Sequence, residues 1–110
     1  MDAAELKRLV CEEVDRRADQ LIEISHSIHD HPELNFEEHH AHEVLTDAAA
    51  QAGLSVERGA YGLATAFDAR AGETGPVVAV VCEYDALPGI GHACGHNVIA
   101  AAGLGAGLAA

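Results

Sequence analysis

Hydrophobic residues recur every three or four positions over residues 3–29, and charged residues occupy the opposite face. This periodicity predicts a long amphipathic helix. The helix should end at His31-Pro32, because the residue before a proline is disfavoured in the α-helical region. A similar pattern predicts a second helix over about residues 36–52, with Asn35 as its N-cap and Gly53 directly after its end.

The middle of the chain changes to patterns that are typical of β-strands. Short alternating runs predict strands over residues 54–57 and about 62–69. The run VVAVVC at residues 77–82 is continuous and β-branched, which favours a strand buried on both faces of a sheet. Because a turn cluster at Ala71–Pro76 separates the second and third runs, we expect these two strands to form a hairpin.

The last part of the chain combines a loop, expected over residues 83–94, with a Gly/Ala-rich helix that begins near Gly95. The internal glycines of this helix lower its propensity by about 1 kcal/mol each relative to alanine, so we expect another backbone to lie very close. The order helix, helix, strands, loop and helix predicts the beginning of an α/β domain. Open α/β sheets place their sites in loops at the carboxyl ends of strands, as this loop would be.

The apolar stretch from Asn97 to Ala110 has no polar outer face. A helix that is apolar all round must be covered by other structure. We therefore expect the chain either to be a fragment or to pair with another surface.

Composition and charge exclude several classes of partner. The chain carries 18 acidic and 6 basic residues, a formal net charge of −12, which argues against a nucleic-acid or membrane-surface partner. Its three cysteines are odd in number and irregularly spaced, which does not indicate a disulfide scaffold. No secretory leader pattern and no bilayer-spanning apolar run is visible, so a reducing, cytoplasmic location is expected.

The stretch GIGHACGHN, at Gly89–Asn97, carries the densest set of potential metal ligands. A thiolate and an imidazole are both good ligands for divalent ions, and Gly95 permits the tight or left-handed backbone that could bring Cys94 and His96 to one ion. The spacing alone is also compatible with a buried cysteine beside a core histidine. Zinc needs three or four protein ligands, and His92 is a further candidate.

Two acidic residues, Glu83 and Asp85, follow the predicted buried strand and lie on the same side of it by the period of two. Carboxylates in such a place are costly unless they are paired or solvated. One of them could orient a ligand imidazole, or either could simply cap the loop. Six histidines in the first half of the chain are interpreted as surface residues rather than a metal cluster: His26, His29, His31, His39, His40 and His42.

Two elements in this order resemble the M20 metallopeptidases: SIHDHPELNFEE at Ser27–Glu38 and EYDALPGIGHACGHN at Glu83–Asn97. They look most like the amidohydrolase branch, in particular its dipeptidase-like and aminobenzoyl-glutamate-hydrolase-like members, with aminoacylase-like and carboxypeptidase-like enzymes also included. The resemblance implies that residues 1–110 are the N-terminal portion of an α/β, zinc-peptidase-like catalytic domain. The rest of that domain and the dimerisation or lid domain would lie outside the chain.

The resemblance also implies a chemistry. Enzymes of this family hold two divalent ions, zinc or manganese, with cobalt and nickel as alternatives, and hydrolyse amide bonds of N-acyl amino acids, dipeptides or aminobenzoyl-glutamate-like conjugates. By similarity, Cys94 would bridge the two ions, His96 would ligate one of them, and Asp85 would be the supporting acid. The HPEL element, His31–Leu34, would mainly shape the wall of the cleft, and the full-length parent would be a homodimer.

The general base of the family is a glutamate, and its remaining ligands are a glutamate and two histidines that come later than residue 110. We therefore expect this chain alone to bind metal weakly and not to hydrolyse amides. An alternative hypothesis is a non-catalytic fragment or binding module that pairs with a partner chain. A thiol redox protein is disfavoured, because the sequence contains no C-x-x-C motif.

Overall fold

Two helices, not one, occupy the region of the first predicted helix in the computed structural model, which describes residues 1–110. Helix α1 (Ala3–Arg16) and helix α2 (Ala18–Asp30) are separated at Arg17, whose φ of −95° and ψ of 4° leave the helical region. Helix α1 buries none of its residues, whereas α2 buries Ile24 and Ile28. The break therefore separates a solvent-exposed helix from one whose apolar face belongs to the core.

Helix α3 (His39–Gln51) begins later than predicted and has a different cap. The Glu33 carboxylate accepts hydrogen bonds from the backbone N–H groups of His40, at 2.8 Å, and Ala41, at 3.0 Å. Unpaired N–H groups at a helix start need such an acceptor, and an acidic one also favours the positive end of the helix dipole. The prediction of Asn35 as the N-cap was wrong, because a carboxylate from the preceding loop takes that role.

The hairpin forms between strands other than those expected. Strand β1 (Ser55–Arg58) pairs antiparallel with strand β2 (Phe67–Arg70), and Val56 lies opposite Ala69. A short 3₁₀ turn at Ala60–Gly62 lies in the connection between them. The expected hairpin between the second strand and residues 77–82 was wrong.

Residues 77–82, called the valine segment below, belong to no strand or helix. The side chains of Val77 and Val81 are 95% and 88% exposed, so the predicted strand, buried on both faces, was wrong for this chain. The backbone of residues 71–85 makes no hydrogen bond to any other backbone group. A strand buried on both faces needs neighbouring strands and two covering layers, and the described residues do not supply them.

Helix α4 (His96–Ala109) packs across α2 and closes the core. A Cβ added at Gly105 would lie 2.8 Å from Leu21 Cδ1, and one added at Gly103 would lie 2.6 Å from Cys82 Cβ. The expected close approach of another backbone was therefore wrong: side chains pack against Gly103 and Gly105, and Gly107 has nothing within 4 Å.

The core lies among α2, α3 and α4, and Tyr84 reaches into it from the loop. Fully burying a side chain such as Ile28 or Leu45 contributes about 1.5–3 kcal/mol each. Four helices and one two-stranded sheet confirm the predicted α/β class. No helix combines the length and apolar character that crossing a membrane requires.

Candidate functional site

The loop between the valine segment and α4 is held against the HPEL element at two points. The Ala86 N–H donates to the Glu33 carbonyl oxygen at 2.7 Å. A Cβ added at Gly91 would lie 3.8 Å from Pro32 Cβ, and Gly91 has a positive φ of 65°. The loop also closes on itself, since the Leu87 N–H donates to the Gly91 carbonyl oxygen at 2.9 Å. Two segments that are distant in sequence thus form one surface.

His96 stands at the start of α4 between two carboxylates. Its Nδ1 lies 2.8 Å from Asp85 Oδ1, and its Nε2 lies 3.1 Å from Glu83 Oε1. The imidazole is 19% exposed, while the Asp85 and Glu83 side chains are 33% and 60% exposed. Each ring nitrogen thus faces an oxygen that can only accept, and the two contacts, the shorter of them to Asp85, fix the orientation of the ring.

Cys94 is an exposed, free cysteine two residues before His96. Gly95 between them adopts the left-handed conformation, with φ 82° and ψ 23°, as the sequence predicted it could. Within the 110 residues, no three histidine, cysteine, aspartate or glutamate side chains are arranged as a metal-binding group. The donors present fit part of a metal site, since a thiol and a carboxylate-oriented imidazole are typical zinc ligands, but they do not form a complete one.

His92, the other candidate ligand, is buried and has no partner. It is 8% exposed, and neither ring nitrogen makes a hydrogen bond. Burial lowers the pKa of His92, and the neighbouring His29 and His96 lower it further, which favours the neutral imidazole. Its ring centroid lies 6.3 Å from that of His29, on α2. A buried imidazole without partners costs free energy of folding, so an apolar side chain would be more stabilising here.

The histidines near the end of α2 and the start of α3 have local partners. His31 and His40 stack with ring centroids 4.0 Å apart, and His40 Nε2 lies 2.8 Å from Ser27 Oγ. His42 Nε2 donates to the Ala66 carbonyl oxygen at 3.2 Å. The sequence did not predict a serine paired with a histidine, because Ser27 and His40 lie on different helices and meet only when α2 packs on α3. The Ser27–His40 contact links the two helices.

An open groove of about 350 Å³ adjoins the site on the side of the valine segment. Apolar side chains line most of it, including Phe36, Leu63 and Val80. Glu83 is the one residue of the His96 site on its wall. The carboxylate next to His96 Nε2 therefore faces solvent through this groove.

Local patterns placed Glu83 and Asp85 on one side of the chain but did not predict that both contact His96. The contacts require α4 to return over the loop, which local patterns do not determine. A second contact of this kind joins the Asn97 side-chain amide to Ser25 Oγ, at 3.0 Å, across 72 positions. It fixes the start of α4, and with it His96, on α2.

Curated proteins similar to this chain are peptidases and amide hydrolases. Xaa-Arg dipeptidase from Mus musculus is 43% identical over 94% of the chain and 26% of its own length. Xaa-Arg dipeptidase from Homo sapiens is 44% identical over 94% of the chain and 27% of its own length. One subunit of the p-aminobenzoyl-glutamate hydrolase of Escherichia coli strain K12 is 33% identical over 96% of the chain and 25% of its own length.

The chain thus spans about a quarter of the length of the curated relatives it matches. No family model matches it. The similarity nevertheless extends over nearly all of the chain, including both elements that resemble M20 enzymes. By this similarity, the chain belongs to the M20 family of peptidases and amidohydrolases.

Proposed function

We propose that this chain is part of a metal-dependent amidohydrolase that cleaves amide bonds of dipeptides, N-acyl amino acids or aminobenzoyl-glutamate-like conjugates. The observation that carries the proposal is the 2.8 Å contact between Asp85 Oδ1 and His96 Nδ1. A histidine that ligates a metal typically donates its other ring N–H to a carboxylate or a carbonyl group. Asp85 would thus be the supporting acid, and His96 and Cys94 would be the ligands from this chain.

Each residue has a defined part in this proposal. With a metal bound, Asp85 would accept the hydrogen bond from Nδ1–H, and the metal would take the lone pair of Nε2, the nitrogen that faces Glu83. Cys94 is exposed and lies at the N-terminal end of α4, two residues before His96. Divalent ions at such a site supply polarisation of the amide carbonyl and activation of water. Zinc and manganese are the ions we propose, with cobalt and nickel as alternatives.

The location and the assembly of the protein are also proposals. The three free cysteines, Cys11, Cys82 and Cys94, fit a reducing, cytoplasmic setting. The relative whose name describes it as a hydrolase subunit supports an assembly of more than one chain, and we propose a homodimer for the longer protein. The alternative, a binding module that pairs with a partner chain, is favoured by the exposed valine segment alone.

We infer that residues 1–110 bind metal weakly and do not hydrolyse amides by themselves. Two ligands do not complete a zinc site, and no three histidine, cysteine, aspartate or glutamate side chains of the chain are arranged as a metal-binding group. Zinc affinity of the 110-residue chain, measured by competition with a chromophoric chelator, tests the assignment. Cys94→Ala should weaken binding about tenfold or more, since loss of even an outer-shell partner of a ligand typically costs about 10–100-fold.

Cys11→Ala is the matched control, since Cys11 is also an exposed, free cysteine but lies on α1. It should leave zinc affinity unchanged. Equal affinities for the two variants would remove Cys94 from the proposed site. Hydrolysis of a dipeptide or an N-acyl amino acid by the 110-residue chain would contradict the inferred inactivity.

A further inference from the structure

We propose that Glu83 is a further metal ligand, which shares one divalent ion with His96. The inference rests on the proposed metal-dependent function and adds a donor to it. The resemblance to M20 enzymes assigned Cys94, His96 and Asp85 and gave Glu83 no part. The geometry around the second nitrogen of His96 is what points to Glu83.

The separation of the two donor atoms fits a shared ion. His96 Nε2 and Glu83 Oε1 are 3.1 Å apart. Zinc binds imidazole nitrogen at about 2.0–2.1 Å and carboxylate oxygen at about 2.0–2.2 Å, so two such donors at a tetrahedral angle lie about 3.3 Å apart. A shift of a few tenths of an ångström would let both atoms bind one ion.

The charges around the contact also favour a cation between these atoms. With Nδ1–H donating to Asp85, the lone pair of Nε2 in a neutral imidazole points toward an oxygen of Glu83. A divalent ion bound to both atoms would place these two electron-pair donors, 3.1 Å apart, on one positive centre.

Glu83 is also free to act as a ligand. Its carboxylate is 60% exposed and makes no hydrogen bond or ion pair except with His96. It stands on the wall of the groove, so an ion can reach it from solvent. Carboxylate oxygen accompanies imidazole at many zinc and manganese sites, which matches the ions proposed above.

The test is the affinity of the 110-residue chain for Zn²⁺ and Co²⁺ after Glu83→Gln, which keeps the shape of the side chain and removes its charge. If Glu83 is a ligand, affinity for both ions should fall about tenfold or more, and the visible absorption of bound Co²⁺ should change. Glu73→Gln, in the exposed turn, is the control for loss of one negative charge and should leave both measurements unchanged.

Two results would overturn the proposal. Unchanged affinity in Glu83→Gln would show that the carboxylate does not coordinate, and increased affinity would show that it competes with the metal for His96. Because Glu83 is exposed, the variant should fold like the wild type, and circular dichroism checks this.

His96→Ala separates this inference from the function on which it rests. If Zn²⁺ binding is insensitive to both His96→Ala and Cys94→Ala, or is absent from the wild-type chain, the metal-site assignment itself fails, and Glu83 fails with it. If those two variants lose binding while Glu83→Gln does not, only the role of Glu83 is wrong.

Discussion

Two apolar parts of this chain have opposite surroundings. In α2 and α3 the side chains of Ile28 and Leu45 are fully buried, whereas in the valine segment Val77 and Val81 are 95% and 88% exposed. Both parts are hydrophobic in sequence. The helices face one another, so each supplies the surface that the other covers, whereas in the valine segment only Cys82 is not exposed, and it lies against α4 at Gly103. An apolar pattern therefore predicts burial only where the same chain provides the opposing face.

The largest predicted difference between the two parts is in the free energy of unfolding. Leu45→Ala should lower it by about 2–5 kcal/mol, because the substitution removes buried methyl groups and leaves a cavity. Val78, in the valine segment, is 86% exposed, so Val78→Ala should change it by less than about 0.5 kcal/mol. Urea denaturation of the three proteins measures both effects.

A large loss of stability in Val78→Ala would contradict the comparison. It would mean that the valine segment is covered in solution, and self-association of the chain is the simplest way to cover it. Repeating the denaturation at two protein concentrations separates that case, since an associating chain becomes more stable as its concentration rises.

A smaller change in stability is expected at Gly103, where Cys82 of the valine segment packs against α4. A Cβ at Gly103 would lie 2.6 Å from Cys82 Cβ, and overpacking of this kind costs about 1–3 kcal/mol. Alanine recovers about 1 kcal/mol of helix propensity, so Gly103→Ala should destabilise the protein by about 1 kcal/mol net. At Gly107 nothing lies within 4 Å, and Gly107→Ala should instead stabilise it by up to about 1 kcal/mol.

If Cys82 packs on α4 as described, thermal unfolding should show a lower midpoint temperature for Gly103→Ala and a higher one for Gly107→Ala than for the wild type. If both variants were stabilised, the valine segment would have to move away from α4 at little cost. The thiol gives a second measurement of this contact: burial raises the pKa of Cys82, so its alkylation should be slow in the wild type and faster in Gly103→Ala.

The elements that the sequence predicted correctly are those whose apolar face is covered by another part of the same chain. The second and third helices were predictable in type from their apolar periodicity, and the final helix was predictable as a continuous Gly/Ala-rich run. The break at Arg17 and the cap by Glu33 were not, since the first depends on how α2 packs and the second on a side chain outside the helix. The strand expected over residues 77–82 was wrong because sequence shows that a segment is apolar, not whether a neighbour is present.

The candidate site divides in a similar way. The left-handed Gly95 and the position of Asp85 on the same side as Glu83 follow from local residue types and the period of a strand. The approach of both carboxylates to His96 does not, because it depends on the path of α4 across α2. The orphaned ring of His92 could not be predicted either, since a motif gives no information about which of its side chains are buried.

The smallest expected effect on the free energy of unfolding concerns β1 and β2, which, unlike the valine segment, are paired with each other. Asp68 on β2 accepts hydrogen bonds from Arg70 Nε, at 2.8 Å, and from the Tyr61 hydroxyl. Arg70 first, and Tyr61 second, lower the pKa of the Asp68 carboxyl from 3.8 to about 2. The folded protein therefore binds this proton more weakly than the unfolded chain does, so the stabilisation is fully present above pH 3.8 and is lost as the pH falls to about 2.

Asp68→Asn should remove this part of the pH dependence and flatten the free energy of unfolding over that range. Glu73→Gln removes an exposed carboxylate that makes no ion pair, and it should retain the wild-type slope. If the free energy of unfolding fell equally steeply with pH in the wild type and in Asp68→Asn, the Tyr61–Asp68–Arg70 contacts would not persist in solution. In that case β1 and β2 would be held by their backbone ladder and by the packing of Val56, Phe67 and Ala69 on the core, which the valine segment lacks.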